Sequence, residues 1–306
     1  MQAVVMPANT QENSVEYKNI KWEVFANPNR PDERSIGMIT FNRDEVMNAI
    51  DVRTRVELDI LLTEIAHLSH IKVVIITGAG RGFSAGGDLR SEAGPLGAGP
   101  EDFDMGNFGD YKELAHYFFN DLRHSVLQRC FRKLEDLAPI TIAAINGPAV
   151  GIGMELAMLC DLRFASDKAK LGEVAVPAGF LPESGGARNL PKLVGIGKAL
   201  EMILTGKIVG AEEAEKIGLV DRVVPHDQLI EEAMSFAAQV ATNPYLSVRY
   251  AKQLVKFYWN ANRSEEGWAH ELDAIKEITR TKDCQEGIRA FLEKRRPDFR
   301  GPQYDK

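Results

Sequence analysis

The chain has 306 residues, 44% of them hydrophobic and 26% charged, with a formal net charge of −7. That is the composition of a globular protein with a substantial core, organised as one large domain or two small ones. It speaks against nucleic acid as the main partner, because phosphates want a basic surface. No apolar run approaches the length of a membrane span, so no membrane is expected. The N-terminal segment Met1–Ser14 is polar, with neither an apolar signal region nor an arginine-rich amphipathic pattern, and reads as a disordered tail of a cytoplasmic protein.

In chain order, Ile20–Val24 and Ser35–Phe41 read as strands around the turn-rich Asn27-Pro28-Asn29-Arg30-Pro31. Asn48–His70 carries apolar residues at helical spacing: Ile50, Val56, Leu58, Ile60, Leu61, Ile65 and Leu68. Val73–Thr77 is a short continuous apolar run, the signature of a buried strand. Residues 91–110, dominated by glycine, proline and acid, read as a long loop. Tyr111–Leu137 is a long amphipathic helix that leads into the strand Ile140–Ile145. A helix over Glu155–Leu159 and short strands at Leu162–Ala165 and Ala169–Leu171 follow, then a turn at Gly179–Gly186 opening a helix around Leu190–Leu193. From Ala211 to the end the pattern is almost all helix: Ala211–Ile217, Gln228–Ala241, Pro244–Trp259, Gly267–Thr279 and Asp283–Arg296. Strands alternating with helices through glycine turns indicate an α/β fold with crossover connections. The expected organisation is a tail over 1–14, a core over 15–210 and a helical region over 211–306.

The three cysteines, Cys130, Cys160 and Cys284, sit in apolar or helical patterns, which points to a reducing compartment without a disulfide framework. No Cys/His pair has ligand spacing, and His67 and His70 stand alone on an amphipathic helix, so no metal is expected.

Two glycine-bearing segments carry the chemistry. Gly80-Arg81-Gly82-Phe83-Ser84-Ala85-Gly86-Gly87-Asp88-Leu89 follows the strand Val73–Thr77, and Asn146-Gly147-Pro148-Ala149-Val150-Gly151-Ile152-Gly153-Met154-Glu155-Leu156-Ala157 follows the strand Ile140–Ile145. Glycine lets the backbone turn sharply and approach a ligand closely. A helix N-terminus offers unpaired N–H groups to negative charge. Two such turns facing one another could hold a developing oxyanion between two backbone donors.

The pair resembles the oxyanion-hole signatures of the crotonase (enoyl-CoA hydratase/isomerase) superfamily, and the similarity runs from about Tyr17 to about Phe299. The resemblance implies a spiral of β-β-α units with a helical C-terminal region that packs between subunits of trimers, or of hexamers built as paired trimers. It also implies an acyl-CoA thioester as substrate, with no cofactor beyond the coenzyme A that the substrate itself carries. The acidic surface does not oppose this, since coenzyme A needs only a local basic patch. By position the oxyanion donors are the backbone N–H groups of Gly87 and Ile152. The latter place is often glycine in the family; a backbone donor survives the change to isoleucine. Ala85, Gly86 and Asp88 belong to the same substrate-binding segment, and Phe291 and Lys294 match a family segment whose Phe and Lys contact coenzyme A.

Glu155 matches one of two catalytic glutamates of enoyl-CoA hydratases, although a carboxylate also suits a helix N-terminus on electrostatic grounds alone. The place of the second falls on Ala175. Glu173, two positions earlier, would lie about 7 Å away on an extended segment and could substitute only with a local shift. Glu183, in Gly179-Phe180-Leu181-Pro182-Glu183-Ser184-Gly185-Gly186, stands where certain enoyl-CoA and dienoyl-CoA isomerases and some carbon–carbon bond hydrolases carry an acid; it could equally be a helix-cap neighbour. With Glu155 and Glu183 moving protons, isomerisation is slightly favoured over hydration. The alternative is a carbon–carbon bond hydrolase acting on a β-diketone or β-keto acyl-CoA, and a non-enzymatic RNA-binding or scaffolding relative is the weakest reading.

Overall fold

The computed structural model describes residues 17–88, 126–179, 181–182, 184–260 and 265–300. The tail over 1–14, the loop over 91–110 and the first part of the helix expected over Tyr111–Leu137 lie outside these residues.

The strands are β1 (Ile20–Asn27), β2 (Arg30–Phe41), β3 (Val73–Gly78), β4 (Ile140–Ile145), β5 (Pro148–Val150), β6 (Leu162–Ser166), β7 (Lys170–Gly172), β8 (Ile208–Gly210) and β9 (Arg222–Val224). A six-stranded sheet has the order β1-β2-β3-β4-β6-β9, and a small three-stranded sheet the order β5-β7-β8. β1 and β2 pair antiparallel; from β2 to β9 every neighbour in the large sheet is parallel. The turn-rich stretch expected over Asn27–Pro31 is narrower than the sequence indicated. β1 and β2 run to Asn27 and from Arg30, and the Asn27 side chain accepts the Asn29 N–H at 2.9 Å. Cross-strand pairing carried the strands further than their hydrophobic pattern.

The helices are α1 (Val52–His67), α2 (Val126–Glu135), α3 (Ile152–Leu159), α4 (Gly186–Val194), α5 (Ile196–Thr205), α6 (Ala211–Lys216), α7 (Leu229–Ala241), α8 (Tyr245–Asn260), α9 (Glu265–Ile278) and α10 (Lys282–Glu293). α1 starts later than the periodicity implied because Asp51 caps it, accepting the Thr54 N–H at 2.7 Å. Met47 and Asn48, just before, take left-handed backbone conformations that no helix admits.

Alternate residues of β3 feed two cores, as a strand buried on both faces requires. Val74 and Ile76 face a cluster with Leu58, Leu61, Leu62 and Ile65 of α1, Phe131 of α2 and Leu156 of α3. Val73 and Ile75 face a second cluster closed by Leu229, Ala233, Met234, Ala237 and Ala241 of α7.

β9 is a strand inside the stretch expected to be almost all helix from Ala211 onward, and α7 is a helix there as expected. β9 pairs with β6, Phe164↔Arg222 to Ser166↔Val224, and completes the large sheet. The packed core therefore extends through Ala241, past the boundary expected at residue 210. Three-residue strands such as β5, β8 and β9 carry no periodicity of their own. α8 is clamped onto this core by Asp161, which meets Lys252 at 2.6 Å and Lys256 at 2.8 Å, while Lys252 also donates to the carbonyls of Leu137 and Pro139.

Candidate active site

The two glycine segments run side by side. Phe83 and Ser84 each donate an N–H to the Pro148 carbonyl at 3.0 Å, and the Val150 N–H donates back to Ser84 at 3.1 Å. This short parallel pairing delivers Gly86-Gly87 against Gly151-Ile152. A Cβ on Gly86, whose φ is +94°, would stand 2.9 Å from the Val150 carbonyl oxygen and 3.8 Å from the Ile152 nitrogen, so the close approach needs glycine.

On the outer side, the Ile50 N–H donates to Gly86 and the Asp88 N–H donates to Ile50, a bridge that brackets Gly87 without using its amide. Ile152 opens α3, where the first N–H groups of a helix have no intrahelical acceptor. Among the described residues, neither the Gly87 nor the Ile152 amide has a carbonyl partner. Two amides without a carbonyl partner among the described residues thus sit on adjoining turns.

The first turn is scaffolded by asparagines that sequence reasoning passed over. Asn48 donates its side-chain amide to the carbonyls of Ala79 and Gly82 at 2.9 and 2.8 Å. Asn146 donates to those of Gly80 and Gly82, and the Ser84 hydroxyl donates to the Asn48 carbonyl at 2.9 Å. The available signal was an Asn just ahead of a helix, a residue that tolerates the left-handed backbone found at Asn48.

Glu155 lies on the first turn of α3, its N–H bonded to the Gly151 carbonyl at 2.9 Å, and is 1% exposed. Its carboxylate accepts the backbone N–H groups of Ser184 at 3.2 Å and Gly186 at 3.0 Å. Glu173, also 1% exposed, follows β7 directly, beside the second turn: Gly151 donates its N–H to Gly172 at 2.9 Å.

Glu173 aims at Glu155. A Cβ on Gly186 would meet Glu155 Oε1 at 2.4 Å and Glu173 Oε2 at 3.0 Å, so the absent side chain of Gly186 makes room for both carboxyls. No group among the described residues gives the Glu173 oxygens a hydrogen bond of good geometry. Burial, and then the Glu155 carboxylate, push the Glu173 carboxyl up to about 8, against a weaker pull from the Ala175 amide.

The expected 7 Å displacement of Glu173 assumed an extended chain. Instead Ala175 is in the right-handed helical region and Val176–Ala178 form a single 3-10 turn. The backbone coils after Gly172, and strand geometry no longer decides which face a side chain takes.

Glu183 lies outside the described residues. Ala85 is half-buried, with its N–H donated to Met47 at 2.8 Å. Asp88 forms an ion pair with Arg43 at 3.0 Å, and Arg43 also meets Asp51 at 3.2 Å and donates to the Ala49 carbonyl at 2.6 Å. The Asp88 carboxylate thereby ties the first glycine segment to the approach to α1. Phe291 is 83% exposed near the end of α10, and Lys294 terminates that helix in a left-handed conformation with φ of 53°. The structure therefore brings together Gly87, Ile152, Glu155 and Glu173, and leaves Phe291 and Lys294 on an exposed helix end.

Among the described residues, no group of three or more His, Cys, Asp or Glu side chains could hold a metal ion, and no helix is long and apolar enough to cross a membrane.

A family model for enoyl-CoA hydratase/isomerase matches residues 32–302. A protein of Mycobacterium tuberculosis named "Probable enoyl-CoA hydratase" is 35% identical over 267 residues, covering 87% of this chain and 95% of that protein. The short-chain-enoyl-CoA hydratase of Clostridium acetobutylicum is 34% identical over 266 residues, covering 86% and 94%. The crystal structure of an enoyl-CoA hydratase from Bacillus anthracis superimposes with a TM-score of 0.77 at 34% identity, covering 92% of this chain and 99% of that one. The chain belongs to the enoyl-CoA hydratase/isomerase family, and it has the α/β crotonase-like fold with a helical C-terminal region.

Proposed function

We propose that the protein acts on an acyl-CoA thioester, holding the thioester oxygen between the N–H groups of Gly87 and Ile152 and moving protons at the adjacent carbons with Glu155. One observation carries this reading: two amides that have no carbonyl partner among the described residues stand on adjoining turns, and a buried carboxylate begins one helical turn beyond the second. When C2 or C3 of the acyl chain reacts, negative charge moves onto the thioester oxygen, and preorganised donors stabilise it as an enolate. The Glu155 carboxyl accepts the amides of Ser184 and Gly186, which hold it in place to take a proton from water or from carbon.

Hydration and isomerisation share the enolate and differ in what a second acid does. Ala175 supplies none. The preference for isomerisation rested on that gap and on Glu183; Glu173 facing Glu155 fills the gap from another position, and hydration of a 2-enoyl-CoA becomes the reading we favour. Names borne by relatives, enoyl-CoA hydratase among them, agree. Ala85, Gly86 and Asp88 would shape the thioester end of the site, and Phe291 and Lys294 would meet coenzyme A. A trimer, or a hexamer of paired trimers, is the proposed working form.

The test is incubation of the protein with crotonyl-CoA, a 3-enoyl-CoA and a β-diketone, with products identified by mass and absorbance. A 3-hydroxyacyl-CoA from crotonyl-CoA is the expected product. Release of a carboxylic acid from the diketone alone would instead establish carbon–carbon bond hydrolysis, and turnover of none of the three would overturn the enolate reading.

A further inference from the structure

The second carboxyl of the site is not at the position where the family resemblance looks for it. Ala175 ends in a methyl, and the chain around it coils into the turn over Val176–Ala178. Glu173 leaves β7 beside Gly151, in register with the turn that carries the Ile152 amide. Its carboxyl is buried, without a well-formed hydrogen bond among the described residues, and both it and Glu155 reach to within 3.0 Å of the point where a Gly186 side chain would begin.

We propose that Glu173 is the second catalytic residue of this enzyme, the carboxylic acid that delivers a proton to C2 of the enolate while Glu155 removes one from water. This rests on the enolate reading above. The assignment of roles follows from the surroundings of each group. Glu155 receives two backbone N–H groups, which stabilise a carboxylate. Glu173 faces that carboxylate from the end of β7, while Ser184 and Gly186 give their backbone N–H groups to Glu155, and the Pro182 Cβ lies 3.0 Å from the point where a Gly186 side chain would begin. Burial and the Glu155 charge together hold the Glu173 proton to about pH 8. Two carboxyls whose environments separate them in this way divide into an acid and a base.

The step balances. Glu155 takes a proton from water as the water oxygen bonds to C3. The C2=C3 electron pair moves toward the thioester, leaving the enolate between the two amides. The enolate then collapses, and C2 takes the proton from Glu173. Glu155 is left protonated and Glu173 ionised, and one proton passed between the neighbouring carboxyls restores the start.

The experiment compares Glu173→Gln, which keeps the shape and removes the proton, with the wild-type protein. We expect kcat on crotonyl-CoA to fall by roughly 10²–10⁴-fold, with affinity for a saturated acyl-CoA little changed. In the wild type, kcat/KM should decline as pH rises above about 8, while the residual rate of the variant should lack that limb.

A second readout needs no turnover. A carboxyl raised in the folded state binds its proton there while the unfolded chain has released it, so its cost to stability grows with pH between its ordinary value and about 8. The Tm of Glu173→Gln should therefore gain on that of the wild type across this range and level off above it. Wild-type turnover in Glu173→Gln, or a Tm difference independent of pH, overturns the proposal. If the wild type turns over no acyl-CoA yet the Tm difference still grows with pH, the enolate reading fails and the catalytic role of Glu173 falls with it, while the protonated pair stands.

Discussion

Among the described residues, the glycine turns and the C-terminal helices both present groups left without a partner or cover, but the groups differ in kind. At Gly87 and Ile152 they are polar, two N–H donors set in a frame of short parallel pairing and asparagine hydrogen bonds. On α8 to α10 they are apolar: Val255, Trp259, Leu272, Ile275, Ile288, Phe291 and Leu292 are all exposed. An unpaired donor in a rigid frame is prepared for a small charged group, because desolvation has already been met by the fold. A run of exposed apolar side chains on neighbouring helices is prepared for another protein surface. A catalytic site asks to be left open, and an interface asks to be covered.

The largest effect should come from the polar region. Glu155→Gln keeps the shape and one oxygen to accept a backbone N–H but removes the base, and turnover should fall by roughly 10²–10⁴-fold with acyl-CoA affinity largely kept. If acyl-CoA binding is lost in step with turnover, Glu155 is a strut of the turn over 184–186 and not a proton carrier. Gly87→Pro deletes one donor and should cost roughly 10²–10³-fold in kcat. A variant with wild-type kcat would show that the oxyanion is held elsewhere.

The clamp between the regions should report in stability. Burial alone would raise the Asp161 carboxyl, but Lys252 and Lys256 hold it below the usual carboxylate range. Its contribution is therefore present above the ordinary carboxylate pKa and lost as pH falls through the lowered folded value. Asp161→Asn should cost about 3 kcal/mol near neutral pH by leaving Lys252 buried without its counter-ion. The gap in Tm from the wild type should close in acid; a gap that persists there would mean that the helix is held by packing alone.

The apolar region should give the smallest effect on chemistry and a clear one on size. Wild-type protein is expected at three times the chain mass, or a multiple of that, by light scattering at micromolar concentration. Leu272→Glu with Ile275→Glu should lower that mass and leave the circular dichroism spectrum of the fold unchanged. A wild-type monomer would break the comparison on its apolar side.

The sequence by itself determined the two turns. Each follows a continuous apolar strand, so local chemistry specifies where the chain turns, and the second turn leads directly into the helix that carries Glu155. It also determined the long helices, whose periodicity is read directly. It did not determine β5, β8 or β9, strands of three residues that exist only because β7 or β6 lies alongside to pair with them. Nor did it determine that α7 closes the second core, since an amphipathic helix does not say which sheet face it will cover. The orientation of Glu173 was the costliest thing to miss. Spacing on an ideal strand put it on the same face as Ala175 but about 7 Å away, whereas the backbone coils after Gly172 and the missing side chain of Gly186 leaves room for both carboxyls. Periodicity is a property of the local backbone, but the convergence of Glu155, Glu173 and Gly186 depends on three segments whose approach only the packed fold decides.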